Sequence, residues 1–438
     1  MTNQLRTKGN PWALLPLLLF IFTFLGAGIF LEDFYALPSP VAVLVGIVAA
    51  FLLLQQNTEQ KITTLIAGCG ESKIITMCII YLLAGAFAVV SKATGGVDAV
   101  VNLGISTIDV AYFPLGIFLI AAFLSTATGT SVGAIVAIGP IAVTLAETSG
   151  ASLPLIAGAL LGGSMLGDNL SMISDTTIAA TQSLGCKLKD KFKINLFIAF
   201  PAAIITLFVL FYLGLNSEIK AVNIAQQSFE LWVILPYLVV IALALLGVNV
   251  FSTLLLGTVL AGIIGFLGSH FTVLEFAQKI YEGLTSMTDI FLLSMLTGGL
   301  AAMVDKAGGI DYVLYHIKKA IKSKKSAQMG VGTLVGFANL AIANNTVSIV
   351  ITGGIAKEIN DEYGLDARKT ATILDIFSCI IQGILPYGAQ VLLILSFANG
   401  KLNFFDLLEN AWYHLFLFIF TIIAIYSSFW DRWIQKWI

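Results

Sequence analysis

The chain has 438 residues, of which 58% are hydrophobic and 11% charged, with a formal net charge of −2. Soluble globular domains carry about 25% charged residues, so this balance suits lipid and excludes an ordinary water-soluble domain. The near-neutral charge offers nothing to a nucleic acid, and neither a nucleic-acid partner nor a cofactor is expected.

Arg6 and Lys8 precede an apolar run from Trp12 to Leu31. At about 20 residues the run can span the hydrocarbon core and is too long for a typical signal core. Glu32 and Asp33 follow instead of a small-residue cleavage site, so the run reads as a retained first spanning helix. Further spanning helices are predicted over 38–55, 73–91, 193–214, 230–247, 250–268, 284–304 and 409–427. Two more, 153–180 and 369–397, are long but interrupted by polar residues. The regions 110–147 and 329–360 are each apolar, then polar, then apolar, with STATGTS (125–131) and ANNT (343–346) in their middles.

The chain repeats itself. LLAGAFAVVSKATGGVDAVV, around residue 85, returns 213 residues later as MLTGGLAAMVDKAGGIDYVL. Gly85 aligns with Gly298, Gly95-Gly96 with Gly308-Gly309, and Asp98 with Asp311. At a shift of 214, Phe123 falls on Phe337, Gly139 on Gly353 and Gly150 on Gly364.

Basic residues set orientation. A cytoplasmic N-terminus puts Lys61 and Lys73 inside, and the loop holding Lys187, Lys189, Lys191 and Lys193 must also lie inside. This works only if 110–147 is a re-entrant hairpin and the broken helix 153–180 crosses once. The same reasoning makes 329–360 a hairpin entering from the cytoplasm, between Lys318, Lys319, Lys322, Lys324 and Lys325 on one side and Lys357, Arg368 and Lys369 on the other. Each half then has an odd number of crossings, so the second is inverted relative to the first. The expected fold is an all-α polytopic membrane protein with two inverted-topology repeats. It has about ten transmembrane helices plus two re-entrant hairpins, with broken helices near the midplane. Residues 1–11 form a cytoplasmic N-terminus, 12–216 the first repeat, 217–228 a linker, 229–428 the second repeat and 429–438 a cytoplasmic C-terminus. There Trp430, Arg432, Trp433, Lys436 and Trp437 suit an interfacial anchor in the cell (inner) membrane.

Polar residues at membrane depth mark candidate sites, since irregular backbone survives there only where protein or water satisfies it. The first tip offers Thr128, Thr130 and Ser131, with Ser125 and Thr126 just before them. The second offers Asn344, Asn345 and Thr346, with Asn339 nearby. Hydroxyl and amide oxygens suit hard cations, although such residues also bridge membrane helices. The segment GDNLSMISDTT (167–177) places Asp168, Asn169, Ser174, Asp175, Thr176 and Thr177 in an otherwise apolar stretch. It contains no lysine or arginine, so a bound cation or a proton is the economical partner for Asp168 and Asp175. A cytoplasm-facing loop is the other reading, because Lys187 follows soon after. In the second half, DIFSCIIQGILPYGAQ (375–390) supplies Asp375, Gln382, Tyr387 and Gln390, with Pro386 and Gly388 expected to break the helix. Gln382 falls opposite Asp168, so the acidic cation site belongs to the first half. Asp375 and Asp289 are further buried-acid candidates that could equally cap helices.

Other chemistries find little support. The four cysteines (Cys69, Cys78, Cys186, Cys379) show no Cys-x-x-Cys pairing, and His270, His316 and His414 lie in or near predicted loops and helix ends. Gly129-Thr130-Ser131-Val132-Gly133 fits Gly-x-Ser-x-Gly but lacks a strand–turn–helix setting and a histidine partner, so no enzyme is expected.

GDNLSMISDTT resembles the signature of the NhaC-type Na+/H+ antiporters, Gly-Asp-Lys-x-Ser-Pro-x-Ser-Asp-Thr-Thr. Gly167, Asp168, Ser171, Ser174, Asp175, Thr176 and Thr177 match, whereas Asn169 replaces the lysine and Met172 the proline. The resemblance implies a secondary transporter with Na+ bound near Asp168, Asp175, Thr130 and Asn345, H+ as the counter-ion, elevator-type movement and a homodimer. Relatives in that family also exchange organic acids, so Na+- or H+-coupled transport of a small organic solute is the alternative. Without a lysine at 169, carboxylate recognition would rely on helix N-termini and hydroxyls.

Overall fold

The computed structural model describes residues 9–30, 37–217, 231–268 and 271–427. The proposed interfacial anchor at 430–437, most of the 217–228 linker, and Arg6, Lys8 and His270 lie outside the described residues.

Every described regular element is helical. In the first half these are α1 (Leu15–Phe30), α2 (Ser39–Leu53), α3 (Thr58–Cys69), α4 (Ser72–Ala93), α5 (Gly96–Thr107), α6 (Phe113–Thr128), α7 (Ser131–Ser149), α8 (Leu153–Leu170), α9 (Asp175–Leu184) and α10 (Leu188–Leu215). The second half contains α11 (Leu235–Leu245), α12 (Val250–Leu267), α13 (Val273–Ser286), α14 (Thr288–Lys306), α15 (Gly309–Ala320), α16 (Lys324–Ile342), α17 (Asn345–Glu362), α18 (Ala367–Ile384), α19 (Ala389–Ala398), α20 (Phe404–Glu409) and α21 (Trp412–Tyr426). From α1 to α9, each helix has its counterpart ten places later. The starts of α7 and α17 lie 214 residues apart, as do those of α8 and α18 and of α9 and α19. The long helix α10 corresponds to α20 and α21 together, which are separated at Asn410–Ala411.

The two predicted hairpins are α6–α7 and α16–α17, and the two broken helices are α8–α9 and α18–α19. Each hairpin turns on one residue with left-handed backbone, Gly129 (φ 71°) in the first and Ala343 (φ 54°) in the second. An extended N-cap residue then starts the returning helix. Thr130 accepts from the Gly133 N–H, and Asn344 accepts from the Val347 N–H. Pro386 has no N–H to continue α18, which ends at Ile384. The returning and broken helices form the interior. In α7, and across α8–α9, 83% of the apolar stretch is buried, against 33% for α10 and for the first helix. The outer helices instead present Phe22, Val48, Phe208 and Leu256, apolar surface that water would not tolerate over so wide an area.

Helix directions establish the inversion. The helix α9 packs along α17, with Ser183 against Gly353. Similarly α19 packs along α7, with Phe397 against Gly139. Both pairs start at the centre of the molecule. The first pair ends near Cys186 and Glu362, and the second near Glu147, which pairs with Lys401 at 2.9 Å. Equivalent helices of the two halves thus leave the centre toward opposite ends.

Packing divides the helices into two bodies. One contains α1–α4 and α11–α14, and the other α6–α10 and α16–α21, with α5 and α15 running between them. Within each body, glycines let backbones approach closely. A Cβ at Gly85 would fall 2.1 Å from the Gly283 carbonyl oxygen, where α4 meets α13. A Cβ at Gly163 would fall 2.2 Å from the Phe118 oxygen, and one at Gly167 2.4 Å from the Ala122 oxygen, where α8 meets α6.

Three expectations need correction. The segment between the predicted helices 38–55 and 73–91, left without an element, is mostly α3, and the amphipathic helices α5, α13 and α15 also lacked a sequence assignment. The shortest, at 12 residues, cannot span a bilayer, so apolar run length misses them. Among the described residues, nine helices are long and apolar enough to cross a membrane, and Ser39–Leu53, Trp232–Leu245 and Trp412–Tyr426 are shorter apolar helices. Finally, three lysines counted as cytoplasmic loop charges are buried. Lys61 donates to the Phe51 oxygen (2.7 Å) and Lys369 to the Ala424 oxygen (2.7 Å), and Lys191 pairs with Asp375.

Overpacking a close helix contact costs about 1–3 kcal/mol. Gly163→Val should therefore lower the melting temperature of the detergent-purified protein. Gly354→Val, where a Cβ meets nothing within 4 Å, should leave it nearly unchanged. Equal melting temperatures for the two variants would contradict the backbone contact between α6 and α8.

Candidate functional site

The first hairpin tip, the second tip and both helix breaks converge on one cavity of about 540 Å³. Its lining includes Thr130, Ser131, Asp168, Asn345, Gln382 and Gln390. Asp168 is the buried acid of this cavity, 5% exposed, at the end of α8. Ser131, the first residue of α7, donates its hydroxyl to Asp168 Oδ2 at 2.7 Å. Ser174, in the extended stretch between α8 and α9, donates to Oδ1 at 2.6 Å and lies 2.9 Å from the Thr176 hydroxyl. Gln390 at the start of α19 donates to the Ser131 oxygen (2.9 Å) and accepts from Gln382 (3.1 Å). Gln382 also donates to the Ala343 oxygen at the second tip (3.2 Å), and its own Oε1 is buried without a hydrogen-bond partner among the described residues. Asp168 has no basic side chain within ion-pair distance among the described residues. Carboxylate, hydroxyl and amide oxygens, which line this cavity, are the donor types that could hold a hard cation.

The remaining candidates separate into groups. Thr128, Asp175, Thr176, Asn344 and Thr346 line the same cavity. Asp175 is not buried: its side chain is 76% exposed and pairs with Lys73 at 3.8 Å. The lysine absent from its own segment thus comes from α4. Tyr387 lies behind the cavity, donating to the Leu340 oxygen at 2.6 Å with its ring against Phe20. Asp289 is exposed at the start of α14, so it is not a buried acid. It lines a second cavity of about 960 Å³ with Lys92, Lys279, Glu282, Thr144 and Pro386. Both cavities lie between the two bodies.

Asp375 and Thr177 belong to a separate cluster directly behind Asp168. Lys191, at the start of α10, donates to Asp375 Oδ2 in a fully buried pair. It also donates to the Thr177 hydroxyl at 2.9 Å and reaches the Asn169 carbonyl oxygen at 3.5 Å. Asn169 points away from the cavity and is bound through its oxygens by Asn195. Sequence reasoning counted Lys191 as a loop charge and passed over Asn195. The readable signal was Asn195, a lone amide one helical turn after Lys191 on a face that continues through Ile198, Ala199 and Ala202. His414 was also missed: it is 3% exposed against Gly383, where only a glycine leaves room for the ring. Outside the spanning segments, Asp366 caps the start of α18. Burial opposes its charge, but hydrogen bonds from Arg368 outweigh this and hold the carboxyl below its ordinary range.

A family model described as the Na+/H+ antiporter family matches residues 7–215 and, separately, 216–431. The chain is 26% identical over 391 residues to the Na(+)/H(+) antiporter NhaC of Bacillus subtilis, covering 82% of this chain and 84% of the relative. It is 25% identical to the Malate-2H(+)/Na(+)-lactate antiporter of the same organism, over 73% of this chain and 74% of the relative. The Arginine/ornithine antiporter ArcD of Halobacterium salinarum is 25% identical, over 86% of this chain and 84% of the relative.

Removing one partner of a buried ion pair costs about 3–5 kcal/mol, whereas removing both is often nearly neutral. Asp375→Leu should therefore destabilise the purified protein strongly, and adding Lys191→Met should recover most of the loss. Denaturant titration of both variants checks this. A double variant as unstable as the single one would show that the pair's charges are not its main contribution.

Proposed function

The chain belongs to the Na+/H+ antiporter family, and on that premise we propose that it exchanges Na+ for H+ at the single carboxylate of Asp168. It is a multi-pass membrane transporter and not an enzyme. The observation that carries the reading is a buried carboxylate held by two serine hydroxyls, without a basic partner among the described residues, where both hairpin tips meet. A carboxylate at membrane depth is stable when it is protonated or when a cation neutralises it. Na+ and H+ then compete for Asp168, and one site carries both ions in turn. Ser131, Ser174 and Thr176 exchange their hydrogen bonds for coordination through oxygen when Na+ enters, and Gln382 Oε1 supplies a further oxygen. Asp175 and Lys73 stand at the cavity mouth and steer rather than bind. Alternating access follows if the body carrying both hairpins slides against the other, with α5 and α15 as the moving links. The cavities on the two sides of their interface then open in turn.

A second reading rests on cavity size. About 540 Å³ falls in the range of small-molecule sites and exceeds what one ion needs. Two relatives are named for organic substrates. Exchange of a small carboxylate or amino acid would use the same Asp168 ion site, with Lys73 at the mouth facing the solute.

Proteoliposomes with an imposed pH gradient, given Na+, Li+ and K+ separately, test the main reading. Asp168→Asn should abolish cation-dependent proton movement, and Asp175→Asn should leave exchange measurable. Ser131→Ala removes one oxygen from the proposed ligand set, a charge-assisted contact normally worth about 1.5–3 kcal/mol, so half-saturation should need about ten- to a hundredfold more Na+. Full exchange by Asp168→Asn would refute the assignment. Exchange that appears only when an organic solute is supplied would select the second reading.

A further inference from the structure

Among the described residues two carboxylates are buried, Asp168 and Asp375, and their surroundings differ. The surroundings of the Lys191 ammonium explain how. It is held by a carboxylate oxygen of Asp375, the Thr177 hydroxyl at 2.9 Å and the Asn169 carbonyl at 3.5 Å. These ligands come from α18, α9 and α8, while the lysine enters from α10. Carboxylate, hydroxyl and backbone carbonyl are the oxygens that bind a hard monovalent cation. Thr177 follows Thr176, and Asn169 follows Asp168, so this cage stands back to back with the Asp168 site on the same broken helix.

We propose that the cage of Asp375, Thr177 and Asn169 is a second cation site permanently filled by a tethered ion, the ammonium of Lys191. The inference rests on the reading of Asp168 as the exchangeable ion site. With Lys191 in place, two buried negative charges present only one unmatched charge to the cavity. That fixes the cargo at a single monovalent cation per passage. Without the ammonium the centre would carry a charge of −2 and take two monovalent cations or one divalent. Lys191 is therefore a specificity-determining residue that does not touch the transported ion.

The experiment counts radioactive Na+ bound at saturation to the detergent-purified full chain. Wild type should hold one Na+ per chain. Lys191→Ala, checked for monodispersity, should hold two, and its melting temperature should rise more steeply with Na+ than that of wild type. Adding Asp375→Leu to Lys191→Ala should return the count to one. A monodisperse Lys191→Ala protein that still binds one Na+ overturns the proposal, as does a wild-type count of two. If Lys191→Ala cannot be purified, the wild-type count alone decides: one supports the filled cage and two excludes it. Asp168→Asn separates the two readings. If it leaves the wild-type ion bound, the Asp168 assignment fails. The extra ion in Lys191→Ala is scored by its dependence on Asp375 alone.

Discussion

A charge inside a membrane protein must be matched, and two buried carboxylates impose that demand on everything around them. Asp375 is matched internally by Lys191. Asp168 is met by the Ser131 and Ser174 hydroxyls, with no basic side chain among the described residues. The helix breaks, the hairpin tips and the cavity are arranged around the unmatched one. Breaking α8 at Ser171–Ser174 brings a hydroxyl to Asp168 from its own segment. Ending α6 at Gly129 lets α7 begin with Ser131 against the same carboxylate. The polar cost of irregular backbone at depth is met because these breaks lie within the protein, away from lipid.

Much of this was legible in the sequence because lipid removes ambiguity. In an apolar chain a cluster of Ser, Thr, Asn or Asp stands out, and those at 125–131, 167–177 and 343–346 proved to be a tip, a break and a tip. The left-handed turn at Gly129 was readable as a glycine, but its counterpart Ala343 was not, since alanine gives no such signal. The amphipathic helices α3, α5, α13 and α15 escaped because their length and polarity mimic loops. Lysines misled for a related reason. A lysine near a helix end normally marks the cytoplasmic side, yet Lys61, Lys191 and Lys369 turn inward to find oxygens. Asp175 shows the same limit in reverse. It belongs to the motif as clearly as Asp168 does, but one helical residue near a break can face outward while another faces the centre, and spacing alone does not say which.

The division into two bodies gives the site its mechanical setting. Asp168 and the residues that hydrogen-bond to it all belong to one body, so the proposed ion site can move as a unit without being taken apart. The opposing wall, with Lys73, Thr76 and Met77 of α4, belongs to the other. Close glycine contacts such as Gly163 against Phe118 stiffen each body internally, whereas the cavities lie where the bodies face each other.

The Lys191–Asp375 pair also constrains how the duplicated architecture can be divided. Its two members lie in different halves, and at the 214-residue shift their counterparts are Phe405 and Leu161, which carry no charge. A first half paired with another copy of itself would leave both copies of Lys191 without Asp375. Two second halves would leave both copies of Asp375 without Lys191. Each half therefore leaves its own member of the pair unmatched without the other. The duplication has become irreversible, and the halves of this molecule could be expressed as separate chains only if they still found each other.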